Sequence, residues 1–189
     1  MHMDTITVYH TGFSEIRTPD LTVGRRNADF GQGFYLSDDA AFAGRWSGER
    51  KGASCYVNTY SLALSDLNIK RLSMDEAWYD YITANRASRA DTLAGYDVVI
   101  GPIACDTIYN TYGILTSGVF DKALVLDAYR LGPDYTQIVL KRQRAVSALR
   151  FVSSRVIPTK TVAENRAFLN AEEQAYMEKL TKLLEADPS

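Results

Sequence analysis

The sequence predicts an α+β domain built on small, mostly antiparallel β-sheets. Alternation of polar and apolar residues, which is typical of half-buried strands, occurs at residues 5–10, 56–62 and 136–140. Helical patterns separate these strands, but without the regular strand-helix-strand order that would indicate a parallel sheet. At 189 residues, of which 46% are hydrophobic, the chain is long enough for one well-packed domain.

A glycine-rich loop at residues 29–37 follows the first of these strands. It reads Asp-Phe-Gly-Gln-Gly-Phe-Tyr-Leu-Ser, and Gly31 and Gly33 allow positive φ angles or a close approach of the backbone to a ligand. Phe34 and Tyr35 should then lie on opposite faces of a short strand, one inward and one toward whatever the loop contacts.

Capping and turn residues delimit the other elements. The Ser-Asp-Asp sequence before Ala40 and the Ser-Met-Asp-Glu capping box at residues 73–76 each predict the start of a helix. The apolar, β-branched run at residues 96–102 predicts a strand that is buried on both faces and ends in a Gly-Pro turn. The expected helices are residues 40–46, 73–82, 106–112, 119–129 and 163–186, and a further strand is expected at residues 152–157.

The C-terminal segment, residues 161–189, is expected to be an amphipathic helix that follows a domain at residues 1–160. Its apolar side chains lie close to a single stripe, which contains Leu169, Tyr176, Met177, Leu180, Leu183 and Leu184. Such a stripe could pack on the domain itself, on a partner chain or on a second copy of this chain.

Composition argues against several classes of function. The balance of 21 basic and 23 acidic residues gives no overall attraction to nucleic acid or anionic membranes. We expect neither membrane spanning nor secretion, since there is no run of about 18 apolar residues and no signal sequence at the start. Cys55 and Cys105, far apart and without flanking partners, indicate reduced thiols in a cytoplasmic protein. A histidine-based metal centre is not expected, because His2 and His10 are the chain's two histidines.

Two long segments and one short segment carry a family resemblance. They are Asp-Phe-Gly-Gln-Gly-Phe-Tyr at residues 29–35, Tyr-Asp-Val-Val-Ile-Gly-Pro-Ile-Ala at residues 96–104 and Tyr-His-Thr-Gly at residues 9–12. Through them the sequence resembles the ADP-ribosyltransferase superfamily, and more narrowly a bacterial family of predicted ADP-ribosyltransferases. The resemblance implies that residues 1–160 form an ADP-ribosyltransferase-like fold, with split antiparallel sheets and flanking helices. It also implies NAD as co-substrate and no metal.

The resemblance further implies an NAD cleft lined by a strand-end histidine, a strand tyrosine and a third-strand glutamate or its substitute. His10 would hydrogen-bond a ribose hydroxyl through one ring nitrogen. Tyr35 would stack on the nicotinamide, a contact worth about 1 kcal/mol by analogy with aromatic pairs. Main-chain groups near Gly12 would reach the nicotinamide carboxamide. The residues expected to bind NAD are His10, Thr11, Gly12, Arg25, Phe34 and Tyr35.

Arginines near the loop are candidates for phosphate binding. Arg25 and Arg26 precede the loop, where a guanidinium group could pair with the NAD pyrophosphate or with an acceptor. Asn85 and Arg86, at the end of the second expected helix, are further candidates for the same role.

Gln137 occupies the third-strand position in this sequence. An amide can hydrogen-bond a ribose hydroxyl, but it cannot act as a base. A transferase would therefore need another carboxylate, for which Asp106 and Asp134 are candidates, or an acceptor that is already a good nucleophile. Either aspartate could instead cap a helix or a turn. The expected catalytic residues are His10, Tyr35, Gln137 and Asp106.

Three functions follow as alternatives. The leading prediction is an NAD-dependent ADP-ribosyltransferase of the bacterial toxin type, which transfers ADP-ribose to a macromolecular acceptor, protein or nucleic acid, and releases nicotinamide. A small antitoxin protein would then be its neutralising partner. The second prediction is an NAD glycohydrolase or an inactive NAD-binding domain. The third is a protein-interaction module with no nucleotide chemistry.

Overall fold

Seven strands and six helices make up the described part of the computed structural model, which covers residues 4–48, 50–109, 118 and 120–186. The strands are β1 (Thr5–Gly12), β2 (Phe34–Leu36), β3 (Cys55–Ala63), β4 (Ile69–Arg71), β5 (Val98–Pro102), β6 (Thr136–Leu140) and β7 (Leu149–Ile157). The helices are α1 (Ala40–Arg45), α2 (Glu76–Arg86), α3 (Cys105–Ile108), α4 (Lys122–Arg130), α5 (Gln143–Ser147) and α6 (Thr159–Ala186). The mixture of sheets and helices confirms the predicted α+β class.

The strands form two small sheets. One has the order β1-β3-β7 and is antiparallel, and the other has the order β2-β6-β5-β4, in which only the β4–β5 pair is parallel. The sheets are joined where β1 runs past the end of β2, because Tyr9 and Ser37 exchange backbone hydrogen bonds of 2.8 and 3.0 Å. This junction brings the chemistry-bearing ends of β1 and β2 together.

The two central strands of the four-stranded sheet, β5 and β6, are buried on both faces. Val98, Ile100 and Ile138 pack into a core between the two sheets, whereas Val99 and Val139 face a second core formed with helices α2, α4 and α6. This two-sided burial confirms the expectation for residues 96–102, and it follows from the alternation of side chains along a strand.

Several elements differ from the sequence-based expectation. Helix α1 ends at Arg45, one residue before the expected end. Helix α2 begins at Glu76 instead of residue 73 and extends to Arg86, and the side chain of Asp75 caps it by accepting from Trp78 N–H. The prediction missed β4 and α5, because three residues and five residues are too short to show a periodic pattern. The expected helix at 106–112 and the start of the one at 119–129 fall partly on residues 110–117 and 119, which lie outside the described residues.

Helix α6 packs its apolar stripe against the domain. Tyr176 and Leu180 are buried in the helical core, and Met177 is partly buried against it. The Tyr176 ring stacks on Tyr109 at 4.9 Å between centroids, and its hydroxyl donates to the Ala128 carbonyl oxygen at 3.2 Å. Of the expected docking partners, the domain itself is the one that the structure shows. No described helix is both long enough and apolar enough to cross a bilayer.

Both cysteines are free thiols, as the sequence predicts, and both are buried. Burial raises the pKa of the Cys105 thiol to about 12. A thiol with so high a pKa is a poor nucleophile at neutral pH, so Cys105 contributes packing to the helical core.

Replacement of Leu180 by alanine should lower the free energy of unfolding by about 2–5 kcal/mol, because it leaves a cavity between α6 and the core. Lys179→Ala, one position earlier and exposed, should change it by less than about 0.5 kcal/mol. Urea unfolding followed by circular dichroism measures both. Equal stability of the two variants would contradict the packing of α6.

Candidate functional site

A cleft of about 320 Å³ opens where the two sheets meet. Strands β1, β2 and β6, helix α1 and the segments before β2 and after β5 contribute to its walls. The volume lies at the lower end of the range of about 300–1,000 Å³ that is usual for small-molecule sites. The lining residues are Tyr9, His10, Thr11, Arg25, Ala28, Asp29, Tyr35, Leu36, Ser37, Phe42, Ala43, Trp46, Ile103, Thr107 and Gln137.

His10 lies on β1 with its ring held between the strand and the cleft. Its Nδ1 donates to the Tyr35 carbonyl oxygen at 2.8 Å. A carbonyl oxygen only accepts, so the ring proton lies on Nδ1 and Nε2 is left as an acceptor. Burial lowers the pKa of His10, and the hydrogen bond to Tyr35 opposes this only in part. The neutral ring therefore presents an acceptor nitrogen at neutral pH.

Tyr35 faces the cleft because β2 alternates its side chains. Its hydroxyl donates to the Gly31 carbonyl oxygen at 2.7 Å and accepts from the Phe30 backbone N–H at 3.0 Å. Burial is the main reason why the pKa of Tyr35 is raised well above its ordinary value. The hydroxyl stays protonated and is bound to the loop, which leaves the ring to form part of the cleft wall.

The segment between Asp29 and Gly33, here called the signature loop, needs its two glycines. Gly31 has a φ of +69°, and a side chain there would collide with the Asp91 carboxylate. A Cβ on Gly33 would lie 2.6 Å from the Leu140 carbonyl oxygen. These contacts give the glycines a packing role beneath the cleft.

Lys141 anchors the signature loop from below. Its Nζ pairs with Asp91 Oδ2 at 2.6 Å and also donates to the Phe30 carbonyl oxygen. Tyr81 completes the anchor, because its hydroxyl donates to Asp91 Oδ1 at 2.9 Å. Burial lowers the pKa of Lys141, and the hydrogen bond and charge of Asp91 counteract the effect. This buried pair fixes the backbone of the loop under Tyr35.

Arg86 binds Asp29 at one end of the loop. Its Nε and Nη2 donate to Asp29 Oδ1 and Oδ2 at 2.7 and 3.0 Å, while Nη1 and Nη2 donate to Asp106 at 2.8 and 2.9 Å. Burial alone would lower the pKa of Arg86, but hydrogen bonds and charge from the two aspartates raise it. Asp106 also accepts from the Tyr129 hydroxyl at 2.8 Å. The charged cluster of Arg86, Asp29 and Asp106 is almost completely shielded from solvent.

Gln137 reaches the cleft from β6. Its Nε2 donates to the Pro102 carbonyl oxygen at 3.3 Å, and the same oxygen accepts from Trp78 Nε1 at 3.2 Å. No described residue hydrogen-bonds the amide oxygen of Gln137. A glutamate in this orientation would direct a carboxylate at the Pro102 carbonyl, so the local structure favours the amide.

The structure brings His10, Tyr35, Gln137, Thr11 and Arg25 to one cleft, and their chemical roles stay predictions. Thr11 donates its hydroxyl to the Ala43 carbonyl oxygen, which ties β1 to α1. Arg25 is exposed at the cleft and makes no ion pair within the described part of the chain.

The other residues expected in the site lie outside the lining of the cleft. Phe34 points into the core between the sheets, where its ring stacks on His10 with 4.4 Å between centroids. Gly12 ends β1 next to the His10 ring, and a Cβ there would lie 3.3 Å from Nε2. Asp106 is buried behind Arg86, and Asp134 lines a second cleft beside Thr136 and Ile138, away from Gln137.

Sequence reasoning assigned no role to most of the residues that line the cleft, among them Asp29, Thr107 and Trp46. The Trp46 side chain is 47% exposed and packs edge-on against Phe42, with 5.7 Å between the ring centroids. Asp29 is the first residue of the glycine-rich motif, and this position could have indicated that it belongs to the site. Its partner Arg86 lies 57 positions away and was read instead as a phosphate ligand.

Comparison with known proteins gives one family. The model of the family described as "Protein of unknown function (DUF3990)" matches residues 6–151, which is most of the chain. Searches of curated proteins and of solved structures gave no match. The matched range includes every residue that lines the cleft.

The free energy of unfolding should fall as the pH is lowered from about 7.5 to 5.5. The pKa of His10 is lower in the folded protein than in the unfolded chain, where it is about 6.5. The unfolded chain therefore binds a proton first as the pH falls below about 6.5. The stability that the neutral ring contributes at higher pH is lost between the unfolded-state pKa and the folded-state pKa. Denaturant titrations at several pH values measure this. His10→Gln should flatten the dependence in this interval. A His10→Gln protein with the wild-type pH dependence would contradict the burial of a neutral ring.

Proposed function

We propose that this chain, which belongs to the DUF3990 family of proteins of unknown function, is an NAD-dependent ADP-ribosyltransferase. The observation that carries the proposal is the convergence of His10, Tyr35 and Gln137, from β1, β2 and β6, on one cleft. The resemblance to that superfamily implies a strand-end histidine, a strand tyrosine and a third-strand glutamate or its substitute at these places, and Gln137 is the substitute in this chain. The two small sheets joined at Tyr9 and Ser37 are compatible with the split-sheet fold of the superfamily, which we include in the proposal.

The cleft offers groups that fit a nicotinamide riboside. His10 Nε2 is an acceptor for a ribose hydroxyl, and the Tyr35 ring provides a fixed aromatic surface for the nicotinamide. Leu36, Phe42 and Ile103 make part of the wall apolar, which would keep water from the reacting bond. Arg25 at the exposed side supplies a cation for the pyrophosphate.

The reaction transfers ADP-ribose from NAD to an acceptor. The bond between ribose C1′ and the nicotinamide nitrogen breaks, and its electron pair leaves with nicotinamide. An acceptor nucleophile forms the new bond to C1′ and loses its proton to solvent. The chain's own contribution is to hold the ribose at His10, to orient the nicotinamide on Tyr35 and to stabilise the positive charge that develops on the sugar.

Gln137 supports a second candidate function. Its amide cannot take a proton from an acceptor, and its Nε2 is already bound to Pro102. An NAD glycohydrolase, in which water is the acceptor, or an NAD-binding domain without turnover, would retain the same cleft. The proposals differ in where the ADP-ribose goes, so product analysis separates them.

Incubation with NAD labelled in its adenosine part, with and without a cell lysate, should release nicotinamide and transfer label to macromolecules. Release of nicotinamide without macromolecular label would indicate the glycohydrolase. Thermal stabilisation by NAD without release of nicotinamide would indicate an NAD-binding domain without turnover, because a ligand that binds the folded state raises the melting temperature of the protein. The absence of release, label and stabilisation would refute the proposal.

Tyr35→Ala should abolish nicotinamide release and thermal stabilisation by NAD, because it removes the aromatic surface. Tyr35→Phe is the matched control, since it keeps the ring and removes only the hydroxyl bonds to the loop. It should retain NAD binding and lose about 0.5–3 kcal/mol of folding stability. Nicotinamide release and melting curves measure both variants. Full turnover by Tyr35→Ala would eliminate the stacking role.

A further inference from the structure

The cleft has an acidic side chain that the expected site did not include. Among the described residues that line it, Asp29 is the acidic one, and its side chain is 11% exposed. Gln137, which also lines the cleft, carries no charge. Any favourable interaction with a cation in this cleft would therefore depend mainly on Asp29.

Asp29 is held from several sides. Arg86 binds both of its carboxylate oxygens, the Thr107 hydroxyl donates to Oδ2 at 3.1 Å, and Asn85 Nδ2 donates to the Asp29 carbonyl oxygen at 2.9 Å. A carboxylate fixed in this way needs no reorganisation when charge appears nearby, which is the condition for effective electrostatic stabilisation.

Arg86 does not cancel the charge of Asp29, because it is shared. The same guanidinium group binds Asp106 through two hydrogen bonds, so one cation lies between two carboxylates. The Asp106 side chain is fully enclosed, and Asp29 is the member of the cluster at the cleft. The cluster therefore leaves a net negative charge whose accessible side is Asp29.

We propose that Asp29, positioned by Arg86, is the carboxylate that faces the cationic nicotinamide ring and the positive charge that develops on the ribose. The inference rests on the proposed function. Asp29 acts by its charge, because its oxygens already accept hydrogen bonds from Arg86 and Thr107. Arg86 is a positioning residue, which orients the carboxylate without lining the cleft itself.

Asp29→Asn removes the charge and keeps the shape, and Tyr129→Phe is the matched control. Tyr129→Phe removes a hydrogen bond that Asp106 accepts in the same cluster, but it leaves the charges of Asp29, Arg86 and Asp106 in place. Asp29→Asn should lower kcat for nicotinamide release by roughly 100-fold, the scale expected for the loss of one electrostatic group. Tyr129→Phe should lower it by less than about tenfold at a temperature where both proteins are folded, since any effect must be transmitted through Asp106 and Arg86.

A binding measurement separates the charge effect from a structural one. NAD⁺ carries a cationic nicotinamide ring and NADH a neutral one, so calorimetric titration with each dinucleotide gives a charge preference. Wild-type protein and Tyr129→Phe should bind NAD⁺ at least about tenfold more tightly than NADH, and Asp29→Asn should bind the two with similar affinity. If Asp29→Asn retains the preference, or matches Tyr129→Phe in both assays, the inference is overturned.

If Asp29→Asn does not fold, a binding experiment on the wild-type protein still tests the inference. The wild-type protein should bind the N-methylnicotinamide cation more tightly than neutral nicotinamide, and equal or reversed affinity would overturn the inference. Wild-type protein that binds neither dinucleotide and releases no nicotinamide would refute the proposed function. Wild-type turnover together with a fully active Asp29→Asn would refute this inference alone.

Discussion

The signature loop is held by buried ion pairs, and the cleft depends on them. Strand pairing begins only at Phe34, so the preceding residues have no ladder of sheet hydrogen bonds to fix them. Asp29 is bound by Arg86 instead, and the Phe30 carbonyl oxygen accepts from Lys141. Loss of one partner from such a buried pair typically costs about 3–5 kcal/mol, because it leaves a charge without a counterion. The loop is therefore well defined only while both pairs are intact.

This arrangement separates the charge of the cleft from its hydrogen-bonding groups. The negative charge belongs to the loop, through Asp29, and Arg25 adds a positive charge at the exposed side, whereas the strands contribute the neutral groups of His10 and Gln137. Burial favours the neutral form of His10. The amide nitrogen of Gln137 donates to the Pro102 carbonyl oxygen, so the amide oxygen is the group that is left as an acceptor. A cation entering the cleft would meet acceptors from the strands and a negative charge from the loop, without displacing an internal ion pair.

The strands could be predicted from the sequence, but the charged cluster could not. Alternation located β6, and the Phe34–Tyr35 pair was correctly expected to face opposite sides, since side-chain direction is a property of the strand itself. Assigning both aromatics to NAD ignored that rule, because only one of them can face the cleft. Asp29 and Arg86 come into contact because α2 packs on the loop. They are 57 positions apart in the sequence, and a local sequence pattern cannot predict a contact between residues so far apart. The sequence therefore indicated a phosphate-binding role for Arg86, and the structure shows it paired with two aspartates.

The amide at residue 137 limits the chemistry that the cleft can assist. The Pro102 carbonyl oxygen accepts hydrogen bonds from both Gln137 Nε2 and Trp78 Nε1. A carboxylate at position 137 could not donate to this oxygen and would be repelled by it, so the local structure disfavours a glutamate there. A site with a fixed negative charge and an amide in place of the third-strand carboxylate is suited to bond cleavage that builds positive charge, and less suited to deprotonation of a weak nucleophile. The geometry thus favours acceptors that are nucleophilic without activation, and it makes cleavage of the glycosidic bond the step to which the protein contributes most.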